Sequence, residues 1–410
     1  MSSSSILPEQ PASQDKVPAA RRLAILHWLP VELYPPTINL LRLLAKDEKW
    51  RVELFTSANH LGRTPFKLPG AHIHRSPAPG LVRGLKRAWA YASFQIQATW
   101  RLFIFRPEVI LYFEPQSAFP VFLYRLIHPD VPIFVHHHEY HDPHLFLRKG
   151  MRLTRFFHHL EIRHILPKAE WISHTNRERL NLFLNDHAGL PPQSLKILPN
   201  YPPASWPDRC QSGWKTSTKP FPLKFVYIGS LSLRDTFLQE FIEWLSRLPQ
   251  GDAFFEVYSY NLDAETEAFL NAADTRLVKF HRGGIDYDQI PDCLDQAHFG
   301  VLLYKANTTN YRFNASNKLF EYLACGLDVL FPDRMDGVKP YATVASAPRV
   351  IEADFSSLDE IAWSTLKTRT SLEERPFSSQ AEEALSPLLD ALKQAAISCR
   401  HDSAPASRAT

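Results

Sequence analysis

The stretch NASNKLFEYLACG, residues 314–326, places ionisable groups at and just after a predicted helix start. Asn314, Ser316 and Asn317 are favourable helix caps, and the free N–H groups and dipole at a helix start attract anions. The dipole alone disfavours the positive charge of Lys318 in the first turn. An external anion such as a phosphate, bound at the same place, would account for that lysine.

Glu321 lies four residues after Asn317 and therefore on the same face of this predicted helix, which Gly326 ends. A carboxylate one turn below a phosphate site can accept two hydrogen bonds from a ribose diol. The alternative is a solvated glutamate that contributes about 0.3–1 kcal/mol through the helix dipole. From this stretch alone, both interpretations stay open.

A second group of polar residues, HHHEYHDPH, begins at His136 and follows a predicted strand. Strand alternation puts His136 and His138 on one side and His137 and Glu139 on the other. Histidine and carboxylate at this density suggest a metal site. The zinc-protease pattern H-E-x-x-H does not fit, however, because the fifth position from His138 is Asp142. A polar loop with structural histidines is the competing interpretation.

The sequence Asp286-Tyr287-Asp288 has the D-x-D form found in metal–diphosphate sites. It stands in GGIDYDQI, directly before a predicted helix. Helix capping explains two aspartates at such a position. We therefore predict no metal site there.

The elements that must position these residues alternate between short apolar strands and longer helical patterns. Examples are LAILHWL (23–29), EVILYFE (108–114), LKFVYIGS (223–230) and FGVLLYK (299–305). This alternation predicts an α/β fold of two Rossmann-like, doubly wound parallel-sheet domains. We expect the ligand cleft between them, at the carboxyl ends of the strands.

Changes in composition along the chain predict the domain boundaries. We predict a disordered N-terminal tail (1–20), a first Rossmann-like domain that binds the acceptor (21–200), a linker (201–222), a second Rossmann-like domain that binds the donor (223–397) and a disordered tail (398–410). The roles "acceptor" and "donor" depend on the resemblance described below.

The bulk composition excludes some classes of protein. Of 410 residues, 45% are hydrophobic and 22% are charged, with a net charge of +3, which argues against a dedicated nucleic-acid binder. The four cysteines show no paired spacing and are expected to be reduced. The first residues lack the apolar core of a signal peptide, and no apolar run is long enough to span a membrane. These features predict a cytoplasmic protein.

Three segments together resemble the C-terminal half of GT-B glycosyltransferases, in particular the group 1, family 4-like superfamily. They are FVYIGSLSLRD (225–235), FHRGGIDYDQIPDCLDQAHFGVLLYK (280–305) and NASNKLFEYLACGLDVLFPD (314–333). The last is similar to the family pattern K-x-x-E-Y-x-A-x-G-x-P-V. The resemblance covers about 223–335 well, and over 21–200 it is one of architecture and weak local pattern.

The resemblance implies a transfer of a sugar from a nucleotide-diphosphate donor to a glycan or lipid-linked acceptor, in cell-surface polysaccharide or glycolipid synthesis. It implies no metal and no cofactor beyond the nucleotide-sugar substrate. The donor-binding residues that it implies are Glu321, Lys318, Asn317, Ser316, Arg234 and Gly229. The catalytic candidates in the first domain are Glu139, His138 and Asp142, one of which would act as a general base or support an oxocarbenium-like state.

The sequence departs from the family pattern at four places. Phe313 stands where a first glutamate is frequent, Asp328 where proline is usual, and Ser230 where arginine follows the glycine, so that Arg234 is offset. The loop HWLPVELYPP (27–36) lacks the usual glycines. Two alternatives therefore stay open: a nucleotide-sugar epimerase, and a non-catalytic GT-B-like binding protein.

Two predicted helical segments, 80–107 and 145–168, mix arginine and lysine with aromatic residues. Helices of this composition lie on anionic lipid surfaces. The alternative is a pair of helices packed on the sheet with a solvated basic face. Contact with the inner face of the plasma membrane would suit a lipid-linked acceptor.

Overall fold

The computed structural model describes residues 20–59, 64–78, 85–148, 150–216, 222–260, 262–369 and 372–403. The predicted N-terminal tail lies outside these ranges except for its last residue. Within the described ranges, no helix has the length and apolar character required to cross a membrane.

The first half of the chain forms a seven-stranded parallel sheet in the order β3-β2-β1-β4-β5-β6-β7. Its strands are β1 (Arg21–His27), β2 (Trp50–Ser57), β3 (Ala71–Ser76), β4 (Val109–Phe113), β5 (Ile133–His137), β6 (Trp171–His174) and β7 (Leu195–Ile197). Its helices are α1 (Pro35–Ala45), α2 (Leu85–Phe105), α3 (Ala118–Ile127), α4 (Arg152–His164) and α5 (Arg177–Asp186). The central strands β1, β4 and β5 are buried on both faces, as their nearly continuous apolar runs require.

The second half repeats this plan with six parallel strands in the order β10-β9-β8-β11-β12-β14. Its strands are β8 (Leu223–Ile228), β9 (Ala253–Ser259), β10 (Val278–Arg282), β11 (Phe299–Val301), β12 (Asp328–Pro332) and β14 (Val350–Ala353), and β13 (Ser346–Ala347) pairs with β15 (Glu373–Glu374). Its helices are α8 (Leu238–Arg247), α9 (Ala264–Ala272), α10 (Ile290–Leu294), α11 (Thr309–Arg312), α12 (Asn317–Ala324) and α13 (Trp363–Leu366). The predicted α/β fold of two doubly wound sheets is confirmed.

The described part of the segment predicted as a linker (201–222), residues 201–216, is packed against the second half. It contains two short helices, α6 (Trp206–Arg209) and α7 (Gly213–Thr216). Trp206 and Cys210 are buried in the core of the second half, and the Trp206 ring lies 5.0 Å from that of Tyr287. The segment therefore connects the two sheets and also belongs to the second core.

The last helix, α14 (Ala381–Ser403), returns to the first half of the molecule. The sequence assigned 223–397 to the second domain, but Leu385, Leu388 and Leu392 of this helix pack with α1 and β1 in the first core. Their spacing gives α14 an apolar stripe that needs a partner, and α1 supplies it. The helix also continues through 398–403, which was predicted as part of a disordered tail.

Several hydrogen bonds between described residues cross from one half to the other. The bonded pairs include Asn39–Tyr287, Arg42–Asp288, Tyr140–Asn310, Asp142–Thr309, Asn176–Phe313 and Arg179–Asn310. The two aspartates of the D-x-D sequence take part at this boundary. Asp288 binds Arg42 with two bonds of 2.7 Å, and Asp286 accepts from Thr64. These contacts hold the carboxyl ends of the two sheets face to face.

Candidate functional site

A cavity of about 440 Å³ lies between the carboxyl ends of the two sheets. Its lining includes the segments that follow β1 in the first sheet and β8 in the second, the strands at which the strand order reverses. Open α/β sheets bind ligands at this position. The lining includes Tyr34, His138, Glu139, Arg179, Asn200, Gly229, Ser230, Tyr304, Asn310, Ser316, Asn317, Lys318 and Glu321.

Helix α12 forms the second-half wall, and its packing fixes where its polar residues point. Ser316 caps the helix by accepting a hydrogen bond from the Lys318 N–H at 3.3 Å. The Tyr322 ring lies against Gly300, where an added Cβ would approach within 2.1 Å of the ring. The Tyr322 hydroxyl accepts from the Ile228 N–H at 3.2 Å. The apolar face of α12 is therefore anchored on β8 and β11, and its polar face borders the cavity.

Glu321 is buried beside the cavity, with 2% of its surface exposed. The Asn317 side-chain amide donates to one carboxylate oxygen at 2.7 Å. Burial raises the pKa of Glu321, while the Asn317 hydrogen bond and the charge of Lys318 oppose that shift. The second carboxylate oxygen has no hydrogen bond within the described part of the chain, so the site can accept a donor from a ligand.

Lys318 lies across Gly229 at the end of β8. Its ammonium donates to the Tyr304 hydroxyl at 2.9 Å and sits 5.6 Å from the centre of the Tyr227 ring. A Cβ added to Gly229 would come within 2.5 Å of the Lys318 Cε, and Gly229 has a φ of 138°. Glycine is therefore required here, because any side chain would displace the lysine.

The charge of Lys318 is preserved although the residue is buried. Burial acts to lower the pKa of the ammonium, but Tyr304 and the charge of Glu321 outweigh it, and the pKa is raised. Lys318 therefore provides a fixed positive charge at the start of α12. It lies where the helix N–H groups already favour an anion.

The loop after β5 forms the facing wall, and Glu114 holds it in place. One carboxylate oxygen of Glu114 accepts from the His138 and Glu139 N–H groups at 2.7 and 3.2 Å. The other lies 3.1 Å from His141 Nε2. Burial acts to raise the pKa of Glu114, but His141 reverses the effect and lowers it. Sequence reasoning missed this residue, whose position depends on a backbone with φ 61°.

His138 is buried at the cavity edge. Its ring stacks on Phe113 at 5.1 Å, and its Nε2 lies 3.2 Å from the Thr37 hydroxyl. Burial, with the neighbouring His136 and His27, lowers the pKa of His138 well below its usual value. His138 is therefore a neutral imidazole at pH 7.

Glu139 and Asp142 are in different environments. Glu139 is exposed and lines the cavity. Asp142 is not part of the lining, since it accepts from the His144 N–H at 2.9 Å and from the Thr309 hydroxyl at 2.8 Å. Asp142 caps the turn Pro143–Leu147 and ties it to the second half. The structure thus places two of the three catalytic candidates at the cavity and gives Asp142 structural contacts.

Arg179 is a buried cation that sequence reasoning missed. Its guanidinium donates to the His138 carbonyl at 2.7 Å, the Thr175 hydroxyl at 3.0 Å and the Asn310 carbonyl at 3.0 Å. Burial lowers the pKa of Arg179 to about 10, so it stays charged at pH 7. In the described ranges, no carboxylate lies within ion-pair distance of it. Like Lys318, it is a cation in the first turn of a helix, and that shared signal could have identified it.

Arg234 is the donor-site residue that the structure does not place in the cavity lining. Its side chain is 87% exposed and lies 3.8 Å from Asp235. The other five predicted donor-site residues, Gly229, Ser316, Asn317, Lys318 and Glu321, all line the cavity. Their roles, and that of Arg234, stay predictions.

The histidines at the end of β5 do not converge on one point. His136 Nδ1 lies 2.9 Å from the Ser173 hydroxyl, whereas His137 lies 3.4 Å from Glu161 on the other side of the strand. Over the residues that the structure describes, no group of three or more histidine, cysteine or acidic side chains is arranged to hold a metal ion.

One departure from the family pattern has a structural explanation. Asp328 is fully buried, and its carboxylate lies 2.6 Å from the Arg349 guanidinium and 3.6 Å from Arg369. Burial raises the pKa of Asp328, and both arginines oppose that shift. The aspartate, with its arginines, ties β12 to the segment before β14 and lies outside the cavity lining.

No protein-family model and no curated protein matches this sequence. Solved structures do match. The Anabaena protein HepE in complex with UDP-glucose is 14% identical, with a TM-score of 0.59 over 93% of this chain and 99% of that one. The lipopolysaccharide outer core galactosyltransferase WaaB is 10% identical, with a TM-score of 0.55 over 90% and 99%.

An epimerase structure also matches. The UDP-GlcNAc 2-epimerase from Neisseria meningitidis, bound to UDP-GlcNAc, is 13% identical, with a TM-score of 0.53 over 91% of this chain and 100% of that one. These likenesses extend over both halves of the molecule. They show that the chain has the GT-B fold.

Proposed function

We propose that this protein is a metal-independent GT-B glycosyltransferase that moves a sugar from a nucleotide-diphosphate donor to a glycan or lipid-linked acceptor. The observation that carries the proposal is the arrangement on α12. A buried carboxylate, Glu321, lies one turn below a helix start that already holds a buried cation, Lys318. This arrangement fits a ribose diol next to a diphosphate.

In this proposal the ribose and the diphosphate of the sugar donor each have a binding partner on the second-half wall. Glu321 accepts hydrogen bonds from the ribose hydroxyls through its free oxygen. The diphosphate meets Lys318 and the N–H groups at the start of α12. Gly229 leaves the space that the lysine needs. HepE and the Neisseria epimerase were solved with UDP-sugars, and this makes UDP the first nucleotide to test.

The first-half wall supplies the groups for chemistry at the anomeric carbon. Glu139 is exposed to the cavity and can act as a general base toward an acceptor hydroxyl or support a cationic transition state. His138 is neutral and can accept a hydrogen bond. Arg179 adds a second cation that helps to offset the charge of the leaving diphosphate, so that the reaction needs no metal.

We further propose that the acceptor is presented at the inner face of the plasma membrane, in polysaccharide or glycolipid synthesis. WaaB is a galactosyltransferase of the lipopolysaccharide outer core, and its likeness to this chain supports an acceptor of the same chemical class. Closure of the two halves over the donor would exclude water and limit hydrolysis.

A nucleotide-sugar epimerase is the second candidate, because the Neisseria epimerase matches over almost the whole chain. An epimerase needs no acceptor. Incubating the protein with UDP-GlcNAc alone therefore separates the two activities. An isomerised UDP-sugar would favour the epimerase, and unchanged UDP-GlcNAc would favour the transferase.

Calorimetric binding of UDP, GDP and ADP tests the donor site directly. We expect one of them to bind and Glu321→Ala to weaken it by about 1–3 kcal/mol, because the substitution leaves the ribose hydroxyls without their acceptor. Glu243→Ala, which removes an exposed carboxylate from α8, is the matched control. If no nucleotide binds, or if Glu321→Ala binds as well as the wild type, the donor-site assignment is wrong and the non-catalytic alternative is favoured.

A further inference from the structure

Helices α2, α3 and α4 cover one face of the first sheet and present an apolar surface to solvent. On α2, the large side chains of Leu85, Trp89, Ile96, Trp100 and Ile104 are each between 57% and 90% exposed. Their spacings of four, seven, four and four residues place them on one stripe of the helix. The buried stripe, which includes Phe94 and Leu102, packs on the sheet.

The neighbouring helices extend this surface. Leu126 and Ile127 end α3 with 65% and 66% of their surfaces exposed. Leu147 precedes α4 and is 68% exposed, and Leu153 and Phe156 on α4 are 47% and 53% exposed. Ring contacts connect the three helices, with Phe103 of α2 against Tyr124 of α3 and Phe119 of α3 against Phe156. Large apolar patches of this kind mark interaction sites.

The three helices themselves carry positive charge and no exposed acidic residue. Helices α2, α3 and α4 contain one carboxylate, Glu161, and it is fully buried. The exposed basic residues on and between these helices are Lys86, Arg87, Arg101, Arg148, Arg152, Arg155 and Arg163. Over the described part of the chain, none of these seven forms an ion pair.

We propose that this three-helix face docks on an anionic phospholipid bilayer. Exposed tryptophan, leucine, isoleucine and phenylalanine side chains would enter the boundary between headgroups and acyl chains. The interspersed arginines and lysines would meet the lipid phosphates, with their aliphatic stems along the apolar surface. A second copy of this chain fits less well, since a symmetric dimer would place the two basic faces against each other.

The docked surface extends to the end of the sheet at which the cavity lies. In a parallel α/β sheet, helix starts lie at the carboxyl ends of the strands, where the cavity is. Leu85 and Trp89 at the start of α2, and Leu147 and Leu153 near the start of α4, therefore lie at that end. The acidic residues Asp130 and Glu170 stand just before β5 and β6, at the opposite end. A lipid-linked acceptor would then reach the cavity without leaving the membrane.

Co-sedimentation with vesicles tests this surface in the full-length protein. We expect the wild type to pellet with vesicles of phosphatidylglycerol and phosphatidylcholine at low salt, to be released by high salt, and to stay in solution with pure phosphatidylcholine. Arg152→Gln with Arg155→Gln should weaken binding by about 25-fold, from about fivefold for each charge. Lys215→Gln with Lys279→Gln, exposed lysines of the other half, is the control and should bind like the wild type.

The apolar contribution is tested by Trp100→Ser with Ile104→Ser. We expect binding to fall by about tenfold or more, whereas Val344→Ser, which removes an exposed valine from the second half, should have no effect. The thermal unfolding transition of each variant shows that it is folded.

Three results would overturn the proposal. They are failure of the wild type to bind anionic vesicles, equal binding to both kinds of vesicle at high salt, and a dimer in sedimentation velocity that the Trp100/Ile104 variant dissociates. Vesicle binding and nucleotide binding are measured separately, so a failure of the donor-site proposal leaves this test intact.

Discussion

The two halves share one fold but bury their titratable groups in different ways. In the second half, three buried titratable groups each have a polar partner. Asp328 pairs with Arg349, Lys318 donates to Tyr304, and Glu321 accepts from Asn317. The first half instead buries a group of imidazoles. Burial lowers the pKa of His27 to about 4 and that of His136 to about 3, and it also lowers the pKa values of His138 and His174.

The second-half wall therefore carries charge that is fixed near neutral pH, whereas the first-half wall contains buried imidazoles that gain charge only at acidic pH. Lys318 and Glu321 are held in place before any ligand arrives, as preorganised recognition of a nucleotide requires. The imidazoles of His136, His138 and His174 are neutral at pH 7 and acquire protons only at a large cost in stability. The second half is therefore expected to determine donor binding, and the first half to determine turnover and acid sensitivity.

The largest effect is expected from Glu139→Gln, which removes the exposed carboxylate of the first-half wall. Loss of a general base or of electrostatic support lowers turnover by about 10²–10⁴-fold, while nucleotide affinity should stay unchanged. The measurement is the release of nucleotide from the sugar donor whose nucleotide binds in calorimetry. Asp142→Asn is the matched control and should retain most of the activity. Equal activity of Glu139→Gln and wild type would remove Glu139 from the mechanism.

The next effect concerns the stability of the second half. Asp328→Asn leaves the buried Arg349 guanidinium without a counter-charge and Arg369 with only Glu374, and we expect it to reduce the free energy of unfolding by about 3–5 kcal/mol. Urea denaturation measures the change. Asp359→Asn, which disrupts an exposed pair with Arg247, should reduce it by less than about 1 kcal/mol. Similar losses of unfolding free energy in both variants would show that the buried Asp328 cluster stabilises the protein no more than an exposed ion pair does.

A smaller effect is expected when the fixed charge of the donor wall is removed. Lys318→Met should weaken nucleotide binding by about 1.5–3 kcal/mol, because a hydrogen bond to a charged group is lost. Tyr304→Phe removes only the neutral hydroxyl that positions the lysine and should reduce affinity by about 0.5–1.5 kcal/mol. Calorimetry gives both values. A larger loss from Tyr304→Phe than from Lys318→Met would show that the tyrosine, and not the charge, contacts the nucleotide.

The smallest effect concerns pH. Because the folded state holds His174 neutral, the unfolded state takes up a proton below about pH 6.5 that the folded state refuses, so stability falls as the solution becomes acidic. His137 acts in the opposite direction: burial lowers its pKa, but the charge of Glu161 outweighs burial and raises it. More of the buried imidazoles have lowered than raised pKa values, and we expect the melting temperature to drop between pH 7.5 and 5.5.

His174→Phe tests this origin of acid sensitivity. Both ring nitrogens of His174 are buried without a hydrogen bond, so phenylalanine should be tolerated at pH 7. The slope of stability against pH should become shallower by up to about 1.4 kcal/mol per pH unit below pH 6.5. His72→Phe, at an exposed position, should leave the slope unchanged. An unchanged slope in His174→Phe would assign the acid sensitivity to other groups.

The difference between local patterns and contacts across the chain explains which features the sequence alone predicts. The polar face of α12 is specified locally, by a cap, a helical period and an ending glycine, and the structure has all three. Glu114 and Arg179 depend on contacts between elements far apart in the chain, which local patterns do not contain. The helical segment predicted over 145–168 is divided into a turn and α4 at Gly150, whose φ of 96° is incompatible with a continuous helix.

The hydrogen bonds between the two halves also bear on kinetics. Arg179 and Tyr140 both bond to Asn310, and Asn176 bonds to Phe313. Separation of the halves breaks all of these together, at about 0.5–1.5 kcal/mol each. The open conformation is then expected to be a minor population, and under the proposed function the release of the nucleotide product would have to wait for it. On this basis, the rate of a full catalytic cycle would be limited by opening of the cleft and not by transfer of the sugar.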